Sequence, residues 1–358
     1  MANTTIGRYE TMFSTESVII WITARVSAAY VSVDWQVGEF GVASGTGPVL
    51  KPVTNILRLP IEGFPGDDAH WTITFRDGPM VTVTTTNVNE NTHRLRMCRW
   101  KSPFCRTIEV EVDAENAPLV QSFVRSESYA NVQALVTQGF ANAGVECLFP
   151  SANAMGTFDT PVTWSESTLN QVMAQVFEGR GRGVTITKNA VFSVLLCDAP
   201  AEAGLLGCMF DLEQPQREGC ALFLRTFTFH PHVRWDIRVA EALLHELGHA
   251  MNLLHPWDRD TKRSGSLTFM AYPQRWALAS RSTEEQFWAR LLHVWKFDEV
   301  EELHLQHAAP RHILPGGSHF GAGSCVPPTA VAAAPRMSRR PSNGAKKAPA
   351  PNAKRRWF

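Results

Sequence analysis

The sequence predicts three stretches: an all-β, sandwich-like segment over residues 1–120, an α/β (α+β) region over 121–322, and a basic disordered tail over 323–358. Three observations predict this. Short runs before residue 120 alternate apolar and polar residues, which is the period of a half-buried strand. Beyond it, apolar residues recur at helical spacing and alternate with compact apolar runs, the pattern of α/β structure. After residue 322 the chain turns to Pro, Ala, Lys and Arg and carries too little apolar content to bury a core.

Composition agrees with this division. At 358 residues, 44% hydrophobic and 19% charged, the chain can fill two ordinary cores. Its formal net charge of zero hides an asymmetry, because Arg336, Arg339, Arg340, Lys346, Lys347, Lys354, Arg355 and Arg356 are all in the tail, with no acid among them. That charge reads as a solvated linker. The tail lacks the interleaved aromatics of a single-strand binder, so no specific nucleic-acid partner is expected. Seven cysteines are scattered without CxxC spacing, and their odd number argues against a closed disulfide framework. The first residues lack the basic start and apolar core of a secretory signal, and no apolar run is long enough to cross a bilayer. The expectation is therefore cytoplasmic by default, with no membrane partner.

Within the first segment, "HWTITFRDGPMVTVTTT" reads as a hairpin turning at Asp77-Gly78, and "RTIEVEVDAE" as a strand with Ile108, Val110 and Val112 inward and Glu109 and Glu111 outward. In the second, "SYANVQALVTQGFANAGV" places Val132, Leu135, Val136 and Phe140 on one helical face and ends near Gly144. "TPVTW" reads as a short strand and "TLNQVMAQVF" as a helix. "GVTITKNAVFSVLLCDA" reads as a long run with a fully buried strand at its end, and "GLLGCMF" and "GCALFLRTFTF" are extended by composition. The strongest helix begins near Asp236 as N-cap and carries Ile237, Ala240, Leu244, Leu247 and Met251 as its apolar stripe.

That helix contains "HELGHAMNLLHPW". Positions 245 and 249 are offset by roughly 40° around a helix, so both imidazoles leave from one side and can grip a single metal ion. Glu246, about 100° further round, stands beside a water on that ion rather than on the ion itself. A hydrolytic zinc takes three protein ligands and one open position. His255 can be the third only if the chain turns back after residue 251 or so. Asn252 is the residue type that, after glycine, best accepts the positive φ such a turn requires.

The pattern HExxHxxNxxH is similar to the zinc-binding signature of the metzincin metallopeptidases, with Asn252 standing where glycine is more usual. The resemblance implies a mixed twisted sheet with an active-site helix, and one catalytic Zn2+ on His245, His249 and His255. It also implies Glu246 as general base and hydrolysis of protein or peptide substrates. "SLTFMAYP" resembles the methionine-containing turn of that family, which makes Met270 the floor beneath the imidazoles and Tyr272 a candidate oxyanion donor. Gly204, Leu205, Leu206 and Gly207 of "GLLGCMF" resemble the edge strand over the cleft. Pro273 and Arg275 of "PQRW" resemble the wall of the pocket for the side chain after the scissile bond. The overall likeness is matrixin-type. Pro256 after the third histidine resembles serralysins, whose calcium-binding repeats are absent, so the subfamily stays open.

The alternative expectation is a binding or effector protein that keeps this fold, acts through its N-terminal β segment and hydrolyses only incidentally. An intact Glu246 speaks against it. Residues 1–120 read equally as propeptide or as accessory domain, and substrate identity and oligomeric state are not legible. Cys98, in the basic setting "RLRMCRW", reads as an ordinary strand cysteine. His230, His232, His304, His307 and His312 read as loop or helix-surface histidines.

Overall fold

A computed structural model describes residues 6–14, 19–27, 30–37, 40–48, 56–60, 70–75, 80–87, 92–150, 155–161, 164–179, 190–200, 204–210, 217–259 and 263–321. The Asp77-Gly78 turn and the basic tail lie outside the described residues.

The N-terminal strands are β1 (Gly7–Ser14), β2 (Ile19–Val26), β3 (Tyr30–Val37), β4 (Phe40–Pro48), β5 (Ile56–Pro60), β6 (His70–Phe75), β7 (Met80–Asn87) and β8 (Thr92–Ser102). They form one antiparallel sheet in the order β4-β3-β2-β1-β8-β7-β6-β5, and its end strands β4 and β5 lie against each other. The expected hairpin is β6–β7, with Ile73 opposite Val83 and Phe75 opposite Val81. A sandwich has two sheets facing each other; here a single sheet curls back on itself. Alternation fixes that each strand has an inward face, but not whether the covering layer is a second sheet or the far side of the same one.

The second sheet begins earlier than residue 120. β9 (Arg106–Glu115), β10 (Val145–Leu148), β11 (Thr157–Phe158), β12 (Ala190–Cys197), β13 (Gly207–Phe210) and β14 (Gly219–Phe223) are ordered β10-β9-β12-β14-β13, with β11 beside β9. All pairs are parallel except β13–β14. The strand read in "RTIEVEVDAE" is therefore an inner strand of this sheet, covered on both faces. Glu111 points into the protein rather than out, and its carboxylate accepts from the Glu178 and Gly179 amides at 2.6 and 3.0 Å. "TPVTW" is not a strand at its described residues; the nearest strand is β11, just before it.

Helices cover both faces. α1 (Pro118–Val124), α2 (Glu127–Asn142) and α4 (Trp235–Ala250) lie on the face where Phe192, Val194, Leu196, Cys220 and Leu222 are buried. α3 (Glu166–Val176) lies on the other, over Leu195, Ala221 and Phe223. β12 thus buries both sets of its alternating side chains, which is why it reads as an unbroken apolar run. Contact between α2 and α4 is close at Gly139, where a Cβ would come within 2.8 Å of Leu244 Cδ1. α4 starts at Trp235 after Arg234, one residue before the expected cap. Asp236 sits in its first turn instead, where a carboxylate favours the helix dipole.

The chain closes with α5 (Pro256–Arg259), α6 (Pro273–Ser280), α7 (Glu284–Val294), α8 (Glu299–His307) and α9 (Pro310–Ile313). α8 packs on β3 across a polar seam. His307 lies between Ser32 Oγ (3.1 Å) and Ser27 Oγ (2.8 Å), and Arg25 pairs with Asp34 at 2.5 Å beside them. His304 and His307 are therefore buried residues, not surface ones. Among the described residues no helix is long and apolar enough to cross a membrane.

Candidate metal centre

α4 ends in a backbone motif that delivers the third histidine. Asn252 adopts φ 69°, its amide bonds to the His249 carbonyl (2.8 Å), and the Leu253 amide bonds to the Gly248 carbonyl (2.8 Å). These two bonds satisfy carbonyls that a helix end would otherwise leave open and reverse the chain within three residues. The Asn252 side chain also accepts from the Gly321 amide at 2.6 Å, so the bend is tied to the segment that follows α9. Residues 253–255 then run back beneath the helix, and one ring nitrogen from each of His245, His249 and His255 falls within 4.8 Å of the others. Among the described residues no other group of three His, Cys, Asp or Glu side chains meets that condition.

The outer nitrogens fix how these rings present themselves. Nδ1 of His245 donates to the Phe269 carbonyl (2.7 Å), Nδ1 of His249 to the Leu253 carbonyl (2.8 Å), and Nδ1 of His255 to Asp258 Oδ2 (3.0 Å). Carbonyl and carboxylate oxygens only accept, so each Nδ1 carries the proton and each Nε2 keeps its lone pair. The lone pairs converge: Nε2 of His245 and His249 are 3.1 Å apart, and Nε2 of His255 is sealed from solvent without a hydrogen-bond partner. Two lone pairs cannot bond to each other. A cation between them satisfies all three, so this donor set fits a metal ion.

Burial drives the same residues away from protonation. His245 is pushed down to about 3 by burial and then by neighbouring His255. His249 is pushed well below the usual imidazole range by burial and then by both partners. Neutral rings are the form that ligates metal.

Met270 is fully buried under the triad, in the turn that carries the Phe269 carbonyl. The approach depends on Gly248, because a Cβ there would collide with Met270 Sδ. Thr268 holds the turn: its hydroxyl accepts from the Met270 amide (3.2 Å) and donates to Glu301, the capping-box carboxylate of α8.

The Tyr272 ring stacks on His245 with centroids 5.3 Å apart and lies 4.8 Å from the His255 ring. Burial raises its phenol above the ordinary tyrosine range. Pro273 opens α6, and Arg275 lies over the Trp257 ring at 4.7 Å. Trp257 in turn stacks on His255 at 4.7 Å.

Glu246 is buried, and burial raises its carboxyl to about 8 against a hydrogen bond from the Met209 backbone. It lies directly under β13, since a Cβ on Gly207 would come within 2.9 Å of Glu246 Cγ. Among the described residues β13 is the edge of its sheet. The Phe223 amide bonds to the Leu206 carbonyl, so in the antiparallel alternation Leu206 and Cys208 face β14. Gly207 and Met209 turn their amides and carbonyls to the open side. Gly204 (φ 90°) and Leu205 lead into the strand from outside it.

Several residues that shape the site carry no sequence signal of their own. Asp258 and Trp257 follow His255 in the short helix α5, and Phe320 reaches His249 from far along the chain (ring centroids 5.5 Å). Arg217 is fully buried and donates to the Ala250, Leu314 and Ser318 carbonyls at 2.9, 2.9 and 3.0 Å, joining the end of α4 to the C-terminal segment. Cys98 is buried in the first sheet, where burial and Glu10 push its thiol up to about 12, far from the thiolate that binds metal. No protein-family model matches the chain, and no curated protein matches it.

Proposed function

We propose that this chain is a zinc-dependent endopeptidase with a metzincin-like, matrixin-type catalytic domain, and that it hydrolyses peptide bonds in protein or peptide substrates. One observation carries the reading: three imidazole lone pairs converge beside a buried carboxylate, beneath a strand edge with free backbone groups. Three neutral nitrogen donors suit zinc, and a fourth position left to solvent is the mark of a catalytic rather than a structural site. Bound zinc supplies a Lewis acid that polarises a carbonyl and acidifies water.

The chain's own groups do the rest. The open amide and carbonyl of Gly207 can pair with an extended peptide and lay it along β13. Glu246 is the proton carrier. Its carboxyl accepts from the Met209 amide, and beside a bound cation its ionised form is favoured, which leaves it placed to take a proton and return it. The Tyr272 phenol keeps its proton at neutral pH and can donate a hydrogen bond to a developing oxyanion. Residues 1–102 serve here as an accessory β domain.

The test is Glu246→Gln. Zinc content should remain one ion per chain while hydrolysis of a mixed peptide library falls by about 10²- to 10⁴-fold. Cleavage at the wild-type rate would remove Glu246 from the mechanism. Library cleavage by the wild type that a chelator does not abolish would remove the metal.

A further inference from the structure

Glu241 lies one turn before His245 on α4, and nothing in the chemistry above uses it. It is only 8% exposed, yet its carboxyl makes no hydrogen bond or ion pair with any described residue. Its oxygens are not among the sealed unpartnered atoms, so the carboxyl still touches accessible space. Four residues before a ligand is about 40° round the helix and about 6 Å along it, on the side that carries the imidazoles. The charge of Glu241 is felt at Tyr272, and the charge of Glu246 is felt at Glu241.

The cations around it are otherwise engaged. Arg238 donates to the Thr228 carbonyl at 2.9 Å and lies 5.8 Å from the Phe227 ring, and it reaches Glu241 only as a through-space charge. Arg275 lies over Trp257. What remains is a buried carboxyl with no bonded partner among the described residues, one helical turn before the first histidine of the triad. Burial raises this carboxyl to about 8 against the nearby charge of Arg238; an apolar side chain entering there leaves it unpaired, whereas a cation favours its ionised form. A cation gains a charge-assisted hydrogen bond.

We propose that Glu241 selects substrates carrying lysine or arginine next to the bond that is cut. This rests on the peptidase reading.

The zinc-loaded full chain, Glu241→Gln and Glu241→Leu are each given a peptide mixture presenting every residue type on both sides of many bonds, and the products are sequenced by mass spectrometry. The wild type should enrich lysine and arginine at one position flanking the cut. The ratio of basic to apolar residues at that position should fall at least about tenfold in Glu241→Gln and further in Glu241→Leu. Damage to folding lowers all rates together and leaves the ratio in place.

A second measurement avoids turnover. N-acetyl-lysinamide should bind zinc-loaded Glu246→Gln at least about tenfold more tightly than N-acetyl-leucinamide does, with the preference lost when Glu241→Gln is added. Chelator-sensitive cleavage without basic enrichment, or a ratio that ignores Glu241→Gln, overturns this inference and leaves the peptidase standing. No chelator-sensitive cleavage by the wild type overturns both.

Discussion

The histidines of α4 and its return strand and the histidines of α8 are equally hidden. His245, His249 and His255 are 5–6% exposed, and His304 and His307 are 1%. Burial also depresses the pKa of His304 and His307 as it does that of His245 and His249. Neither exposure nor titration separates the groups. The difference lies in what the second ring nitrogen meets. His307 has a serine hydroxyl at each nitrogen, and Nε2 of His304 rests on the Met251 carbonyl. In the triad one nitrogen is anchored and the other faces lone pairs like its own. Buried histidines mark a candidate metal site when their second ring nitrogens face one another.

Substitution should split the two groups sharply. His245→Ala should take bound zinc from one ion per chain to none by elemental analysis, whereas His304→Ala should keep one ion and lose stability instead. Equal metal loss in both would erase the distinction. A smaller effect is expected one shell out. Asp258→Ala removes the carboxylate that orients His255 and should weaken zinc binding by about tenfold to a hundredfold, read by competition with a coloured chelator.

The smallest effect concerns acid. His304 is pushed down to about 3 by burial, and His307 well below 6.5 by burial and then by Arg25 and Arg106. Between the folded value and 6.5 the unfolded chain therefore binds more protons, so stability is full above about 6.5 and falls as pH drops toward 3. Glu301, raised to about 8, works in the opposite sense, favouring the fold at low pH and losing that contribution as pH rises through 8. His307→Gln, which cannot take the proton, should move the acid-unfolding midpoint of the metal-free chain to lower pH by circular dichroism. An unmoved midpoint would mean that His307 does not set acid sensitivity.

The histidine triad is more legible in the sequence than the scaffold because its elements are local. Helical spacing puts His245 and His249 on one side, and a single positive-φ residue, Asn252, returns His255; both follow from a few consecutive positions. Met270 needed the resemblance, and its partner Gly248 becomes meaningful only when the sulfur lies against it. What escaped is long-range. Glu111 looked solvent-facing because alternation cannot reveal that β9 has cover on both faces. The first sheet looked like half of a sandwich because strand patterns do not encode curling. The Thr268–Glu301 bond and the Phe320 contact join positions that sequence distance keeps unrelated.

Arg217 limits how far the chain can be trimmed. A version ended after α9 would delete the Leu314 and Ser318 carbonyls and the Gly321 amide together, leaving a guanidinium interred against the end of α4 with one of its three acceptors. Stranding an interior cation in this way typically costs about 3–5 kcal/mol, much of a domain's whole margin. A stable piece therefore has to reach at least Gly321, eight residues past α9.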